Sequence, residues 1–244
     1  MSASEREHAL RLTPDRALGS LDEAAAWIEE RGMATLMPCC SLPSLFAACH
    51  EEAYAPDKPG FGQWPKTRYW WPSALVQCPG IHGLKIHRGK TLLVADRVAR
   101  LADPLARAAL ADAEHGPHAR LVSHLAAAGP SLLGELKEEL DLDTKALKKA
   151  CDALERTGAV VSRQMVVEPH RHTSELWRWD QLFPEPYAGG IDDLVLAGVE
   201  AAVVAPEREL RTWFSWPVGD AVDRLVDAGR LVRADGAVSR ASGW

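Results

Sequence analysis

Between residues 118 and 179 the spacing of hydrophobic residues changes from the helical period of about 3.6 to the two-residue period of strands. This change constrains the fold more than any other feature. Three helix-type segments come first: "HARLVSHLAAAG" ends at Gly129, Pro130 opens "PSLLGELKEELDL", and Asp143 caps "TKALKKACDALERTG". The segments "AVVSRQMVV" and "ELWRW" then have the two-residue period of strands and flank the polar turn "EPHRHTS". Three helices followed by a two-stranded hairpin, the wing, is the order of a winged helix.

The C-terminal part of the chain repeats the last half of this pattern. The segments "CDALERTGAVV" and "VDRLVDAGRLV" carry the same residue type at four matched positions, which are Asp152 and Asp223, Leu154 and Leu225, Gly158 and Gly229, and Val161 and Val232. We therefore predict a second winged helix. Near the N-terminus, "AAWIEERGMATL" keeps the apolar residue four positions before a glycine, but too little chain precedes it for two further helices. A third repeat would be rearranged, with its hairpin at residues 81 to 94.

Loop-type segments divide the chain into three units. The proline- and glycine-rich segments "YAPDKPGFGQWPK", "EHGPH" and "FPEPYAGG" are typical of loops and breaks. We predict an N-terminal unit with a basic hairpin at residues 1–107, a central winged helix at 117–184 and a C-terminal winged helix at 190–244. The predicted fold class is α+β, rich in helix, with tandem winged-helix units and short hairpin wings.

The charge balance limits the partners of the chain. It carries 28 basic and 34 acidic side chains, a formal net charge of −6, so its overall field does not attract DNA and any such role needs a local basic patch. The first residues are polar, and the apolar run "LVLAGVEAAVVAP" is interrupted by Glu200 and too short to span a bilayer. We expect no membrane partner and a cytoplasmic location. Five cysteines, two of them adjacent, indicate reduced thiols.

A local basic patch occurs in "GIHGLKIHRGKTLLVADRVA", residues 80 to 99. Together with the following Arg100 it gathers six candidate DNA contacts against one acid, Asp96: Lys85, His87, Arg88, Lys90, Arg97 and Arg100. The alternation of apolar residues predicts a hairpin with its turn at Arg88-Gly89. Lys85, Arg88 and Lys90 would then lie at a wing tip on DNA phosphates. The alternative is an edge hairpin that lysine protects from aggregation.

The third helix of the central unit has a second basic face. Its apolar positions predict a buried stripe of Leu147, Ala150, Cys151 and Leu154. The opposite face shares Asp152 with four cations: Lys145, Lys148, Lys149 and Arg156. The third helix of a winged helix enters the major groove, so these cations, with Arg163 and Arg171 of the wing, are candidate DNA contacts. The alternative is an ordinary solvated lysine face.

The matching C-terminal helix has the opposite character. Val218, Ala221, Val222 and Leu225 would face inward, whereas Asp220, Asp223 and Asp227 join Arg224 on the outer face. Three acids on a supposed recognition helix would repel phosphates. We therefore expect the C-terminal unit to dock on its neighbours.

Metal and catalytic motifs are sparse. One half of the chain holds Cys39, Cys40, Cys49, His50, Cys78 and His82, but no CxxC pair occurs and Cys78-x3-His82 alone does not define a zinc site. We therefore expect buried structural thiols, no metal and no cofactor. The common nucleotide, hydrolase and metalloprotease motifs are absent. Nine tryptophans, which include Trp70, Trp71, Trp177, Trp179, Trp213 and Trp216, either pack the core or stack on bases or a flat ligand.

The segments "LDEAAAWIEERGMATLMP", "LPSLFAACH" and "GLKIHRGKTLLVA", the tryptophan pair and both winged-helix patterns together resemble a known family. They are similar to the compact relatives of the AlkZ-like crosslink-repair DNA glycosylases, which are built of tandem winged helices. The resemblance covers nearly the whole chain. It implies a concave, basic DNA-binding surface and, in catalytic members, removal of alkylated bases by a water that a Gln-hydrophobic-Gln motif activates.

The glutamines depart from that family pattern. No two of Gln63, Gln77, Gln164 and Gln181 are separated by one residue, so the catalytic motif has no counterpart. We therefore predict a protein that binds duplex DNA through the central recognition helix and the N-terminal hairpin. One alternative is a glycosylase that uses another carboxylate or histidine, with candidates His82, His87, Glu51 and Glu52. Another is a protein whose tryptophans bind an aromatic DNA-damaging compound or a protein.

Overall fold

Short helices and small antiparallel sheets alternate along the chain, giving an α+β fold in a computed structural model. The backbone is described for residues 3–168 and 171–241, and the side chains for residues 4–164 and 173–241. The described residues form three three-stranded sheets, each within one of the units predicted from the sequence.

The first sheet is built from residues 33 to 95. The helices are α1 (Ala3–Ala9), α2 (Leu21–Arg31), α3 (Leu45–Ala48) and α4 (Trp71–Leu75), with 3-10 turns at Pro14–Arg16 and Gly60–Gln63. The strands are β1 (Met33–Thr35), β2 (Ile81–His87) and β3 (Lys90–Ala95). The strand order is β1-β3-β2, with both pairs antiparallel.

The second sheet follows a helical connection. That connection is α5 (Asp96–Ala99), a 3-10 turn at Arg100–Ala102 and α6 (Asp103–Glu114). The central unit comprises α7 (Ala119–Ala128), β4 (Ser131–Leu132), α8 (Leu133–Glu139), α9 (Thr144–Arg156), β5 (Val160–Glu168), β6 (Arg171–Arg178) and α10 (Trp179–Leu182). The strand order is β4-β6-β5.

The third sheet closes the chain. Its unit comprises α11 (Ile191–Ala202), β7 (Val204–Pro206), α12 (Glu207–Leu210), α13 (Ala221–Asp227), β8 (Leu231–Ala234) and β9 (Ala237–Arg240). The strand order is β7-β9-β8. Each unit therefore contains the same succession of a helix, a short strand, two helices and a hairpin whose second strand lies in the middle of the sheet; the N-terminal unit adds α1 before it and the central unit adds α10 after it.

The predicted elements of the central unit are confirmed, with three corrections. Asp143 caps α9 by accepting a hydrogen bond of 2.7 Å from the Ala146 amide. Pro130 does not open a helix, because Ser131 and Leu132 pair with β6 before α8 begins. The polar turn is shorter than predicted because the ladder between β5 and β6 continues to the pair Glu168–Arg171. Trp179 begins α10 instead of ending the strand.

In the N-terminal unit, the predicted alignment of "AAWIEERGMATL" with the last helix of the other units is wrong. Its hairpin is confirmed as β2 and β3. The helix that ends at Gly32 is followed by β1, a short edge strand, instead of by the hairpin. This helix, α2, therefore precedes the short strand of its unit as α7 and α11 do in theirs, and α4 precedes the hairpin. The sequence predicted the hairpin of a rearranged third repeat but not the helices before it, because α3 and α4 are only 4 and 5 residues long.

The three units share their cores unequally. One cluster joins hairpin residues such as Leu84 and Leu92 to C-terminal residues such as Trp213 and Leu225, and Trp179 of the central unit also belongs to it. A second cluster lies within the N-terminal unit around Trp27. A third, around Leu154, fills the space between α7, α8, α9 and the central sheet. No helix in the described part of the chain is long and apolar enough to cross a membrane.

Candidate nucleic-acid interface

The N-terminal hairpin presents two exposed cations. Arg88 and Gly89 have φ of 54° and 79°, the left-handed values that a tight two-residue hairpin turn requires. His87 pairs with Lys90 across the turn. Arg88 and Lys90 are exposed and form no ion pair within the described residues. The turn therefore directs these two positive charges into solvent, as its sequence predicts.

Helix α9 presents the second cluster. The predicted stripe of Leu147, Ala150, Cys151 and Leu154 is buried. Lys145, Lys148, Lys149 and Arg156 are all exposed. Lys148 forms an i,i+4 ion pair of 2.5 Å with Asp152, whereas Lys145, Lys149 and Arg156 have no acidic partner in the described chain. The outer face of α9 therefore carries a net positive charge.

The fold joins the two clusters. A Cβ atom built on Gly89 would lie 3.1 Å from Nη2 of Arg156, so the hairpin turn contacts the C-terminal end of α9. A second bridge between the units is the hydrogen bond of 2.9 Å that Nε2 of Gln77 donates to the Gln164 carbonyl. We call the resulting patch the hairpin–helix surface; it comprises Arg88, Lys90, Lys145, Lys148, Lys149 and Arg156.

Lys85 does not belong to the hairpin tip. Its Nζ donates a hydrogen bond of 2.6 Å to Oε2 of Glu155, whose side chain is only 3% exposed. A buried carboxylate needs a partner charge, so Lys85 is held inside the junction between β2 and α9. The sequence placed Lys85 at the tip as a phosphate contact, whereas in the structure its Nζ pairs with Glu155.

His87 is also corrected, because it is fully buried. The register of β2 against β3 shifts between Leu84 and His87, so Ile86 and His87 both face inward although they are consecutive. Nδ1 of His87 lies 2.6 Å from the Trp213 carbonyl oxygen. Burial lowers the pKa of His87, which favours the neutral imidazole. An irregularity of one residue in a strand leaves no signal in the alternation of the sequence.

Arg97 and Arg100 lie at the other end of the hairpin. They follow β3, about 20 Å along the strand from the turn. Arg97 donates hydrogen bonds of 3.1 Å to the carbonyls of Glu29 and Glu30, at the end of α2. Arg100 forms an ion pair of 2.6 Å with Asp96 and lies over the Phe183 ring. The structure therefore does not bring these two arginines to the hairpin–helix surface.

The wing of the central unit holds two predicted DNA contacts, of which Arg163 has a described side chain. The guanidinium of Arg163, on β5, lies 5.6 Å from the centre of the Trp177 ring and is half-buried there. The backbone of Arg171 belongs to β6, but its side chain lies outside the described residues, as does His170.

Helix α13 has the predicted inward face and acidic outer face. Val218, Ala221, Val222 and Leu225 are buried, and Asp220, Asp223, Asp227 and Arg224 are exposed. Arginines neutralise part of this face: Arg233 pairs with Asp223 and Glu207, and Arg224 pairs with Asp192. The predicted docking is confirmed as well, because α13 packs into the core that it shares with the N-terminal hairpin.

A cavity of about 440 Å³ opens beside α9. Apolar side chains of Leu133, Leu147 and Leu176 line it together with Cys151, Glu155 and Lys148. Oε1 of Glu155 is buried and has no hydrogen-bond partner in the described part of the chain. Sequence reasoning missed this carboxylate, although Leu147, Cys151 and Glu155 follow the i, i+4, i+8 spacing of one helix face.

The catalytic candidates named from the sequence have local partners. Glu51 accepts hydrogen bonds from Thr67 and Arg68, and Glu52 pairs with Lys66 at 2.7 Å. His82 lies 2.9 Å from Asp96, and burial lowers its pKa. None of these residues, nor His87, lines the cavity beside α9.

The cysteines and tryptophans have mixed environments. The five cysteines are all free thiols; burial raises the pKa of Cys49 and of Cys151 to about 12, whereas Cys39 is exposed, so the expectation of buried thiols is wrong for Cys39. Cys78 donates to the Ala74 carbonyl. Trp71, Trp179 and Trp213 are buried, which confirms the packing role for them, whereas Trp70 is exposed.

No family model, curated protein or solved structure matches the chain. The resemblance to the crosslink-repair glycosylases therefore remains a prediction from the sequence. Function has to be inferred from the side chains of the hairpin–helix surface and of the cavity beside it.

Proposed function

We propose that this chain is a duplex-DNA-binding protein built of three tandem winged helices, related to the AlkZ-like glycosylases. The repeated element order and the strand order first-third-second support the winged-helix assignment. In this arrangement α9 is the recognition helix of the central unit, and the β2–β3 hairpin is the wing of the N-terminal unit.

The observation that carries the proposal is the contact between the hairpin turn and the end of α9. It makes one basic surface from two segments that are far apart in the sequence. Lys145, Lys149 and Arg156 follow i, i+4, i+11 spacing, so they form a ridge along one helix face, about 16 Å long. Arg88 and Lys90 extend this ridge beyond the helix. A surface of this length can contact several phosphates at once.

The acidic remainder of the chain is consistent with this proposal. The formal net charge of −6 disfavours non-specific attraction to DNA by the protein as a whole. The hairpin–helix surface would therefore determine the side from which DNA approaches. The acidic face of α13 would keep DNA away from the C-terminal unit.

A salt titration of DNA binding tests the proposal. Fluorescence anisotropy of a labelled duplex gives Kd over a range of salt concentrations for the wild type and for the double variant Arg88→Glu/Lys90→Glu. We expect the variant to bind about tenfold or more weakly, and the salt slope to fall by about 0.9 for each phosphate that the variant no longer neutralises. Folding should survive, because exposed charges contribute less than about 1 kcal/mol each.

The matched control is Arg211→Glu/Arg230→Glu. Both arginines are exposed, have no acidic partner within the described residues and lie in the C-terminal unit. This variant changes the net charge by the same amount without touching the hairpin–helix surface. If both double variants lose affinity equally, binding responds only to total charge and the proposed interface is wrong.

The cavity beside α9 favours a second candidate function, the release of damaged bases. Its volume of about 440 Å³ can hold a nucleobase, and Oε1 of Glu155, which no described residue contacts through a hydrogen bond, can accept one from an exocyclic amine or a ring N–H. The test is release of bases from an alkylated duplex by the wild type and by Glu155→Gln. Release above background that Glu155→Gln abolishes would support an enzyme, whereas background release by the wild type would remove this candidate.

A further inference from the structure

Cys39, Cys40 and His87 lie together beneath the hairpin. Their two sulfur atoms and one ring nitrogen all lie within 4.8 Å of one another. The cysteines belong to the loop between β1 and α3, and His87 ends β2, so residues far apart in the sequence converge. Loop cysteines that merely face solvent would not place both sulfur atoms beside a buried imidazole.

The orientation of His87 is that of a metal ligand. Nδ1 lies 2.6 Å from the Trp213 carbonyl oxygen, which can only accept, so Nδ1 carries the proton. Nε2 therefore presents its lone pair, and it lies 3.5 Å from Sγ of Cys39. Histidines that bind metals almost always donate their other ring N–H to a carbonyl or carboxylate in this way.

The separation of the two ligand atoms fits zinc. Zinc–sulfur bonds of about 2.3 Å and zinc–nitrogen bonds of about 2.0 Å, at tetrahedral angles, place sulfur and nitrogen about 3.5 Å apart. The observed 3.5 Å between Cys39 and His87 has this value. Two thiolates and one imidazole are also a donor set that zinc prefers.

Contacts with the C-terminal unit hold the cysteine loop in place. The Ser41 amide donates a hydrogen bond of 2.8 Å to Glu209 on α12. Within the loop, the Thr35 hydroxyl lies within hydrogen-bond distance of the carbonyls of Met37 and Pro43. The loop is thus positioned before any metal arrives, which lowers the conformational cost of binding.

We propose that Cys39, Cys40 and His87 bind one Zn²⁺ ion, with the fourth coordination position open to solvent on the exposed side of Cys39. The ion links the cysteine loop to the hairpin, and through the Trp213 carbonyl to the C-terminal unit. Zinc bound in this way stabilises the junction from which Arg88 and Lys90 project. The proposal replaces the expectation of structural thiols at Cys39 and Cys40 and does not depend on DNA binding.

Metal titration of the purified, reduced full-length protein tests the site. Competition with a chromophoric chelator gives the zinc stoichiometry and affinity, and Co²⁺ substitution reports sulfur ligands through its visible and near-ultraviolet absorption. We expect one zinc per chain and a melting temperature that falls when a stronger chelator removes the ion. Failure of the reduced protein to take up zinc would overturn the proposal.

Single substitutions assign the ligands. Cys39→Ser should weaken zinc binding more than about 100-fold and remove the sulfur-to-cobalt absorption, because loss of a direct ligand exceeds the usual effect of its supporting contacts. Cys39 is exposed, so the variant should fold. Cys78→Ser is the control, since Cys78 donates to a helix carbonyl instead.

Three further outcomes would count against the site. Equal affinities of Cys39→Ser, Cys78→Ser and the wild type would place the metal elsewhere. Binding of Cu⁺ without any binding of Zn²⁺ would overturn the choice of metal. A disulfide between Cys39 and Cys40 that persists under reducing conditions would show that the sulfur atoms serve as a covalent link instead of as ligands.

Discussion

Helices α9 and α13 occupy the same position in two units of matching topology, but they carry opposite chemistry. Both follow a short strand and a short helix, both end near a glycine, and both precede a hairpin. The outer face of α9 presents Lys145, Lys149 and Arg156 without acidic partners among the described residues, whereas that of α13 presents Asp220, Asp223 and Asp227. The same order of helices and strands is therefore compatible with a DNA-facing helix in one unit and a docking helix in the other.

The two units also differ in how they are attached. The C-terminal unit shares an apolar core with the N-terminal hairpin, around Trp213 and Leu225. The central unit has a core of its own, Val161, Trp179 and Phe183 join it to the shared core, and polar contacts add to this attachment. Examples are the Lys85–Glu155 ion pair and the hydrogen bond between Trp179 and Asp103. A unit held by directional bonds has a defined orientation, which a surface made from two units requires.

The largest expected effects come from matched core truncations. Leu154 on α9 and Leu225 on α13 are each 4% exposed, so truncation to alanine should cost about 2–5 kcal/mol of unfolding free energy in either unit. The two substitutions should differ in how far the loss of hydrogen-exchange protection spreads through the molecule. Hydrogen exchange should show that Leu225→Ala lowers protection in β2 and β3 as well as β9, whereas Leu154→Ala affects α7, α8 and α9. Unchanged protection of β2 and β3 in Leu225→Ala would show that the two units do not share a core.

The next largest effect on stability is expected for Asp103, which takes part in the polar contacts of the central unit. Asp103 is buried and accepts bonds of 2.7 Å from the Trp179 indole and 2.9 Å from the Tyr187 amide. It also pairs with Arg107 at 2.9 Å. Burial raises the pKa of Asp103, but these donors outweigh it and hold the pKa below the usual value. Asp103→Asn should therefore cost about 2–3 kcal/mol at neutral pH, because an amide cannot accept from every donor.

The pH dependence of this variant follows from the sign of the shift. A carboxylate whose pKa is lowered by folding contributes stability that is complete above its unfolded value of about 3.9 and is lost as the pH falls below it. The stabilities of wild type and Asp103→Asn should therefore begin to converge below about pH 4 and should continue to converge until the pH has passed the lowered pKa of the folded state. Urea unfolding at a series of pH values measures this. A constant difference down to pH 2 would mean that the charge of Asp103 is irrelevant and that only its shape matters.

The sequence predicted the local elements of the fold better than the contacts between units. The cap at Asp143, the buried stripe of α9 and the turn at Arg88-Gly89 depend on neighbouring residues, so their patterns are visible in the chain itself. The contact of Arg156 with the turn, the burial of His87 and the partner of Lys85 depend on how the units pack. Packing between units leaves no periodic pattern in the sequence. The local density of positive charge therefore grouped Lys85, His87, Arg97 and Arg100 on one surface, although the structure separates them.

A matched charge change on α9 tests whether its outer face contacts DNA. Lys149 corresponds to Asp220 when the two helices are aligned on Leu154 and Leu225. Lys149→Asp removes one proposed phosphate contact, so DNA affinity should fall about fivefold to tenfold and the salt slope by about 0.9. Anisotropy titration measures both quantities. An unchanged slope would mean that the ridge on α9 does not contact phosphates, whatever the hairpin does.

The smallest effect is expected for the reverse change on α13. Asp220→Lys places a cation where α9 has Lys149, and it leaves the Asp223–Arg233 pair intact. Stability should change by less than about 1 kcal/mol, since Asp220 is exposed and its side chain does not cap the helix. If α13 faces away from DNA, affinity should rise at most a few-fold through the added positive charge, with the salt slope unchanged. A gain in affinity accompanied by a steeper slope would show that α13 approaches phosphates closely enough for one lysine to form a contact, and the proposed division between a DNA-facing and a docking helix would be wrong.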